Sequence, residues 1–433
     1  MTGTLRVGVV GTGYVGLTTA VCLAERGHHT VAVDLDHAKV RRLRAGESAI
    51  DEPDLPMLLR DGISRGRLVF GTEYAGLADR DLVFVCVPTP SAPDGQADLS
   101  FVESAVDRLA AVLGPGAVLA IKSTVPVGTS ARLGQRVRRN GVRVVSTPEF
   151  LREGRAVHDF RHPDRVVIGT RDASVARTLV RALGETAPVL QMSPESAELA
   201  KYASNAFLAV KLSYTNSLAT LCGRVGADIR DVTRCMGADG RIGPEFLRPG
   251  PGWGGSCLPK DTAALVHTAH RHGVVLREVE AARLTNAAQT VRICDELSRS
   301  LRRSLAGARI TALGLTFKAA TSDTRDSPAL ATCVHLRRRG ANVVGYDPEL
   351  TGIDTDTLTR AGVIAVDEPY RAAKAADAIL VLTEWPQFTE LDWRAIACEA
   401  PGAVVLDTRN VLTPARIAAA GLTYLGNGVP EGF

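Results

Sequence analysis

The chain has 433 residues, of which 45% are apolar and 23% charged, with a formal net charge of +4; that is enough for two or three domains, each with its own core. Acidic and basic residues are interspersed and the excess is small, which argues against nucleic acid or a membrane surface as a partner. No apolar run reaches the length of a membrane span, and Met1–Leu5 lacks the basic and apolar regions of a secretory leader, so a cytoplasmic protein is expected.

In chain order, Leu5–Gly11 reads as a strand ending in glycines, followed by a helical pattern to about Arg26 and a strand His29–Val33 ending at Asp34. Further strands are predicted at Leu82–Val87, Val118–Ile121, Val142–Val145 and Arg165–Ile168, with helical segments between them. This alternation implies an α/β fold with a mainly parallel, doubly wound, Rossmann-like sheet. After Gln191 the pattern changes. Ser193 is a good N-cap, Pro194 suits the first helical position, Glu195 lies in the first turn, and helical periodicity runs to about Arg224. More helix flanks the Gly-rich stretch 237–256 and continues to about Leu301, forming a long central helical spine. A second α/β pattern begins at Ala308, with strands at Ile310–Leu315, Asn342–Tyr346, Ala378–Leu382 and Val404–Asp407 and a helix near Pro328–Arg339. The expected division is 1–190, a dinucleotide-binding domain; 191–302, a helical central and dimerisation domain; and 303–433, a second Rossmann-like domain.

Several constellations carry chemistry. Gly11-Thr12-Gly13-Tyr14-Val15-Gly16 lies between a predicted strand and a predicted helix, the setting a dinucleotide fingerprint requires. Asp34 ends the second strand, where a carboxylate can bind the adenosine ribose; this favours NAD over NADP, although Lys39 tempers the preference. Val87–Pro90 and Ser123–Thr129 follow apolar strands, so their hydroxyls fall at the carboxyl edge of the sheet, although turn chemistry alone explains the prolines. In Pro148–Gly154 two carboxylates, Glu149 and Glu153, are four apart; they share a helix face or belong to a solvated turn. Lys201 and Asn205, at i and i+4 among apolar neighbours, suggest a wet pocket rather than a solvated face.

The eight cysteines are scattered without a Cys-x-x-Cys, so neither a disulfide framework nor a zinc site is indicated, and no metal is expected. Most of them read as ordinary small buried thiols. Cys257 stands apart in Gly254-Gly255-Ser256-Cys257-Leu258-Pro259-Lys260-Asp261, where glycines admit close approach and a nearby cation favours thiolate. A thiol beside a nicotinamide can capture an aldehyde, pass it to the thioester and release an acid. Only seven of the 51 basic residues are lysines: 39, 122, 201, 211, 260, 318 and 374. A lysine kept against that bias marks a place where a compact, titratable ammonium is needed, or falls there by chance.

Eight ordered motifs resemble the UDP-glucose/GDP-mannose dehydrogenase family over nearly the whole length: Gly11–Leu17, Val87–Pro90, Ser123–Thr129, Pro148–Gly154, Lys201–Lys211, Arg241–Gly243, Gly254–Asp261 and Leu313–Lys318. The resemblance implies a four-electron oxidation of a sugar nucleotide's primary alcohol to a carboxylate, with two NAD reduced. By motif, Cys257 would be the nucleophile, Lys201 and Asp261 would handle protons and water, Lys201 with Asn205 would stabilise oxyanion character, and Thr124 with Glu153 would position the attacking water. The cofactor would contact Gly11, Gly13, Tyr14, Val15, Gly16, Asp34, Lys39, Pro88, Thr89, Ser123, Thr124 and Lys260. The substrate would meet Glu149, Phe150, Leu151, Glu153, Lys201, Asn205, Phe246, Leu247, Gly254, Lys318 and Arg409, with Arg241 reaching the site of a neighbouring subunit in a homodimer or larger homo-oligomer. The segment Asp164–Gly169 looks most like the UDP-glucose branch; the proline-rich loop Arg248–Trp253 departs from the usual pattern. GDP-mannose or a UDP-N-acetylhexosamine is the alternative substrate. A non-catalytic sugar-nucleotide sensor would have no use for the thiol, and a two-electron hydroxyacid dehydrogenase would leave Cys257 idle.

Overall fold

A computed structural model describes residues 3–433; Met1 and Thr2, part of the segment read above for a leader, lie outside the described residues. The chain forms two compact units, Met1–Ser204 with Ala263–Val274, and Asn205–Thr262 with Val275–Phe433.

The first unit is built on an eight-stranded sheet: β1 (Arg6–Val10), β2 (His29–Val33), β3 (Leu68–Gly71), β4 (Leu82–Val85), β5 (Val118–Ile121), β6 (Arg143–Ser146), β7 (Val166–Gly169) and β8 (Val189–Met192). Its order is β3-β2-β1-β4-β5-β6-β7-β8, and every pairing is parallel except β6 with β7. The order reverses direction between β1 and β4, which opens a crevice beyond their carboxyl ends. β4 and β5 are buried along their whole length because helices cover both faces. One core cluster packs Leu17, Val21, Leu59 and Phe84 on one face; Val83, Val106, Leu119 and Leu133 pack on the other.

The second unit carries a six-stranded, all-parallel sheet: β9 (Arg309–Leu313), β10 (Asn342–Tyr346), β11 (Val363–Ala365), β12 (Ala378–Val381), β13 (Val404–Asp407) and β14 (Thr423–Gly426), in the order β11-β10-β9-β12-β13-β14. The α/β class with a long central helix and a second Rossmann-like sheet is as expected. Four strands lie outside the predicted set: β3, β8, β11 and β14. They are the two edges of each sheet. Each is three or four residues long and partly exposed: β8 and β14 carry polar residues, and the apolar runs of β3 and β11 are too short to mark a strand by themselves.

The predicted long helix spans Pro194–Val225, and the division between the units falls within it, between Ser204 and Asn205. The glycine-rich stretch beyond the helix Ile229–Ala238 is irregular until a new helix, Leu258–Arg271, starts directly after Cys257. Among the described residues no helix is long and apolar enough to cross a membrane.

Candidate active site

In the first unit the motifs gather at the carboxyl ends of β1, β2, β4, β5 and β6. The three fingerprint glycines have three different physical causes. Gly11 has φ +87°, and a Cβ there would stand 2.7 Å from the Cys86 carbonyl oxygen. At Gly16 a Cβ would stand 1.8 Å from the Gly11 carbonyl oxygen, so the helix Tyr14–Glu25 could not start where it does. Gly13 faces open space: beyond its chain neighbours and its own helix, no protein atom would lie within 4 Å of a Cβ there. Its lack of a side chain serves no internal contact and fits the approach of a pyrophosphate to the backbone. Asp34 is half-buried: burial raises its proton affinity, but the Asp36 amide, both donors of Thr12 (2.9 and 2.7 Å) and the Lys39 ammonium (3.0 Å) outweigh burial and hold it below the usual carboxylate range. The carboxylate is therefore fixed in place and negative, which suits a ribose diol and opposes a 2′-phosphate.

These glycines separate by substitution. Gly13→Ala should leave the melting temperature within about 2 °C of the parent and weaken NAD binding at least ~10-fold, whereas Gly16→Ala should lower the melting temperature sharply. Equal NAD affinity in Gly13→Ala, by calorimetric titration, would remove the pyrophosphate from this loop.

Tyr14 does more than open the helix. Its hydroxyl is bonded to Glu52 and accepts from the Gly154 amide (2.6 Å), and the other Glu52 oxygen accepts from Val157 (3.2 Å). The fingerprint is thereby tied to the turn that carries Glu153. Ser123 donates to the Val87 carbonyl (2.6 Å), which joins the loops holding Pro88, Thr89 and half-buried Thr124. The amides of Gly128 and Ser130, at the start of the helix Thr129–Val137, both donate to buried Glu198 (2.6 and 2.7 Å).

The segment Pro148–Gly154 is not a helix face: it is irregular through Arg152 and turns at Glu153–Gly154. Glu149 is buried, with one oxygen on the Lys201 ammonium (3.0 Å) and the other on the Leu151 amide (2.6 Å). Burial pushes its carboxyl up, and the Lys201 charge with the Leu151 amide more than reverses this, leaving Glu149 ionised. Phe150 lies beneath two cations, with its ring centroid 5.2 Å from Lys201 Nζ and 3.8 Å from Arg165 Cζ.

In the second unit, Asp261 is fully buried in the first turn of the helix Leu258–Arg271. Its Oδ2 accepts from Asn205 Nδ2 (2.6 Å), its Oδ1 from Lys260 Nζ (2.5 Å), and its amide donates to the Cys257 carbonyl (2.8 Å). Cys257, solvent-accessible, thus sits at a helix N-terminus whose first turn is locked by Asp261. A helix start stabilises negative charge on a group placed there. No disulfide joins any of the eight cysteines; Cys235 and Cys398 are exposed as well, but neither lies directly before a helix as Cys257 does.

The glycines before the thiol have an internal cause. A Cβ at Gly254 would stand 2.0 Å from the Asp326 carbonyl oxygen, and one at Gly255, whose φ is +79°, would stand 2.8 Å from the Phe317 ring. They admit the chain's own segment 317–326, which carries Lys318. Trp253 is held by Asn286 on both sides of its peptide (2.7 and 2.9 Å) and donates to Ser213 (2.8 Å), so the larger ring is accommodated inside the fold. Arg409 donates to the Leu382 carbonyl (3.1 Å) and is ion-paired with Glu384 (3.1 Å), and its guanidinium approaches Gly250. Leu247 is buried beside Phe246, whose φ is +62°. Arg241 is exposed and forks onto Asp239 (2.6 Å). Among the described residues no cluster of three or more His, Cys, Asp or Glu could hold a metal.

The residues missed by sequence reasoning are Glu52, Glu198 and Lys122. Glu52 lies in an irregular stretch and Glu198 in the long helix, and their partners, the Tyr14 hydroxyl with the Val157 amide and the amides of Gly128 and Ser130, lie far along the chain, a pairing no local pattern reveals. Lys122 carried one signal, the scarcity of lysine.

Comparison with known proteins agrees along the chain. Family models of the UDP-glucose/GDP-mannose dehydrogenases match residues 5–185 (NAD binding domain), 195–288 (central domain) and 311–414 (UDP binding domain). A UDP-glucose 6-dehydrogenase of Rhizobium meliloti is 41% identical over 99% of this chain and 100% of its own length. A UDP-glucose dehydrogenase structure from Pyrobaculum islandicum superposes with a TM-score of 0.90 at 35% identity, covering 99% of this chain and 98% of that one. A UDP-D-ManNAc dehydrogenase structure from Pyrococcus horikoshii gives 0.87 at 26% identity, covering 99% and 100%.

Proposed function

The chain belongs to the UDP-glucose/GDP-mannose dehydrogenase family and is an NAD-dependent enzyme of that type, and from this premise we propose that it oxidises UDP-glucose to UDP-glucuronate through a thioester on Cys257. The observation that carries the reading is the accessible thiol at the start of a helix whose Asp261 is fixed by Asn205 and Lys260. NAD, when bound, accepts the hydride of each oxidation step. The chain's own groups supply the rest. Lys201, fixed by Glu149, takes the proton of the primary alcohol as the aldehyde forms. The thiolate of Cys257 adds to the aldehyde carbon, and its oxygen takes up a proton to give a thiohemiacetal. Loss of a second hydride and that proton leaves the thioester. Water placed by Thr124 and Glu153 then cleaves the C–S bond, giving the carboxylate and regenerating the thiol. Asn205 and Lys201 stabilise the negative oxygen of each tetrahedral species.

The functional division we propose is 1–190 for NAD, 191–302 for the centre and 303–433 for the UDP moiety, with Lys318 and Arg409 as nucleotide contacts. A homodimer or larger assembly is supported by Phe207, Tyr214 and Leu221, exposed large apolar residues spaced seven apart on the long helix. The same chemistry on a UDP-N-acetylhexosamine or GDP-mannose is the competing reading, since relatives of that kind share the fold.

The deciding experiment is NADH formation against a panel of UDP- and GDP-sugars, with the sugar limiting. UDP-glucose should give the highest kcat/KM and two NADH per sugar, with no aldehyde trapped by hydrazine. A plateau at one NADH would end the four-electron reading, and a preference for another sugar would end the substrate assignment alone.

A further inference from the structure

Lys122 directly follows β5, and only 6% of it is exposed. Among the described residues no oxygen accepts a hydrogen bond from its Nζ; the nearest aromatic face is Phe84, whose centroid is 6.0 Å away. Lys122 lines a cavity of about 70 Å³ together with Glu149, Phe150 and Arg165. A lysine this deeply buried with no carboxylate in direct contact costs the fold free energy, so its presence calls for a task.

The charges around it define one. The Cys22 and Cys86 thiols are pushed up by burial to about 12 and are neutral near pH 7. Asp159 is taken by Arg152 at 2.6 Å, Arg165 stacks over Phe150, and His162 and Asp164 line the same cavity. Glu149, on the same cavity wall, is held by Lys201 at 3.0 Å, and Lys122 is a second cation acting on both. Two buried lysines thus stand close to one buried carboxylate, Lys201 in direct contact with it and Lys122 on the same cavity wall. Burial keeps Lys122 below the usual lysine range; Glu149 opposes that shift and Lys201 adds to it.

We propose that Lys122 is a positioning residue for the reaction: its ammonium is a second counter-charge to Glu149, so that Glu149 is shared between two lysines and Lys201 is left able to release and regain a proton. This rests on the proposed role of Lys201 as proton acceptor.

The test uses the full chain with lysine labelled at ¹³Cε, where seven signals are assigned by single substitutions. Removing a neighbouring positive charge makes the Lys201 ammonium more stable. Lys122→Met should therefore move the Lys201 titration upward by ~1 pH unit, and the acid limb of kcat in the same direction by a similar amount, with KM for UDP-glucose within about threefold. Lys122→Arg, which keeps the charge, should leave the limb near its native position. Because an unfolded chain binds the Lys122 proton more tightly, Lys122→Met should also melt higher than the parent at pH 7, an advantage that fades as pH approaches the ordinary lysine value. A Lys201 titration that is identical in both proteins overturns the proposal, as does a native Lys122 that titrates with the exposed lysines; the second result needs no variant to fold. Unaltered acid formation in Lys201→Ala would instead overturn the reading of Lys201, while the coupling between the lysines is still decided by the titration.

Discussion

Replacing Cys257 with alanine is expected to lower net acid formation on the order of 10⁴-fold or more while UDP-glucose and NAD still bind. The first hydride transfer needs a proton acceptor and the nicotinamide, and neither involves sulfur. The second needs a tetrahedral carbon that bears hydride, which the thiolate supplies by adding to the aldehyde. Hydrolysis then needs a thioester, whose thiolate leaves far more readily than an alkoxide. Cys257 is solvent-accessible and lies just before the helix Leu258–Arg271, so its removal opens no cavity in the core and the fold should survive. Cys257→Ser should be nearly inactive and should accumulate an ester visible as added sugar-nucleotide mass on the intact protein. Buried Cys22, Cys86, Cys294 and Cys333, whose thiols burial pushes up to about 12, are poor nucleophiles, and their alanine variants should lose stability rather than chemistry. If Cys257→Ala makes UDP-glucuronate near the parental rate, the thiol is structural and the mechanism falls even though the family stands.

The sequence was legible where local pattern and tertiary role coincide. The fingerprint, the central strands and the long helix all follow from glycines, apolar runs and an N-cap, and all are present at or near their expected boundaries. The four edge strands were not legible, because each is only three or four residues long and partly exposed, which leaves neither a long apolar run nor a clean alternation to read. The site divides in the same way. Asp34, Lys201, Asn205 and Asp261 stood out by type and spacing. That Gly254 and Gly255 are shaped by the Phe317–Asp326 segment was hidden, because the contact joins residues some seventy positions apart that only the folded chain brings together. Glu149 has no place fixed by sequence, because two carboxylates four apart fit a helix or a turn equally well; an irregular segment that buries one of them against Lys201 is a third outcome that only tertiary packing could select.

Substituting Asp261 with asparagine is expected to lower kcat by ~10²–10³-fold with KM for UDP-glucose little changed, because it removes a charge and a proton-accepting site without removing volume. Asp261 is fully buried, and each of its oxygens is already assigned: Oδ1 to Lys260 and Oδ2 to Asn205. In Asp261→Asn only one of those positions can still accept. Either Asn205 faces a second amide group or Lys260 loses its anion, and Lys260, about one-fifth exposed, can turn to water while Asn205 cannot do so as readily. The amide should therefore settle with its oxygen toward Asn205. That predicts a specific pattern in a double-mutant cycle. Asn205→Ala and Asp261→Asn should be strongly non-additive in kcat, because the two act as one hydrogen-bonded unit, whereas Lys260→Ala with Asp261→Asn should come closer to additive. Melting temperature provides the control, since loss of activity that tracks unfolding would be trivial. Parental kcat in a folded Asp261→Asn enzyme would reduce the pair to a clamp on the first turn of the helix that follows Cys257. Lost kcat with additive free energies would instead mean that Asn205 and Asp261 serve separate steps.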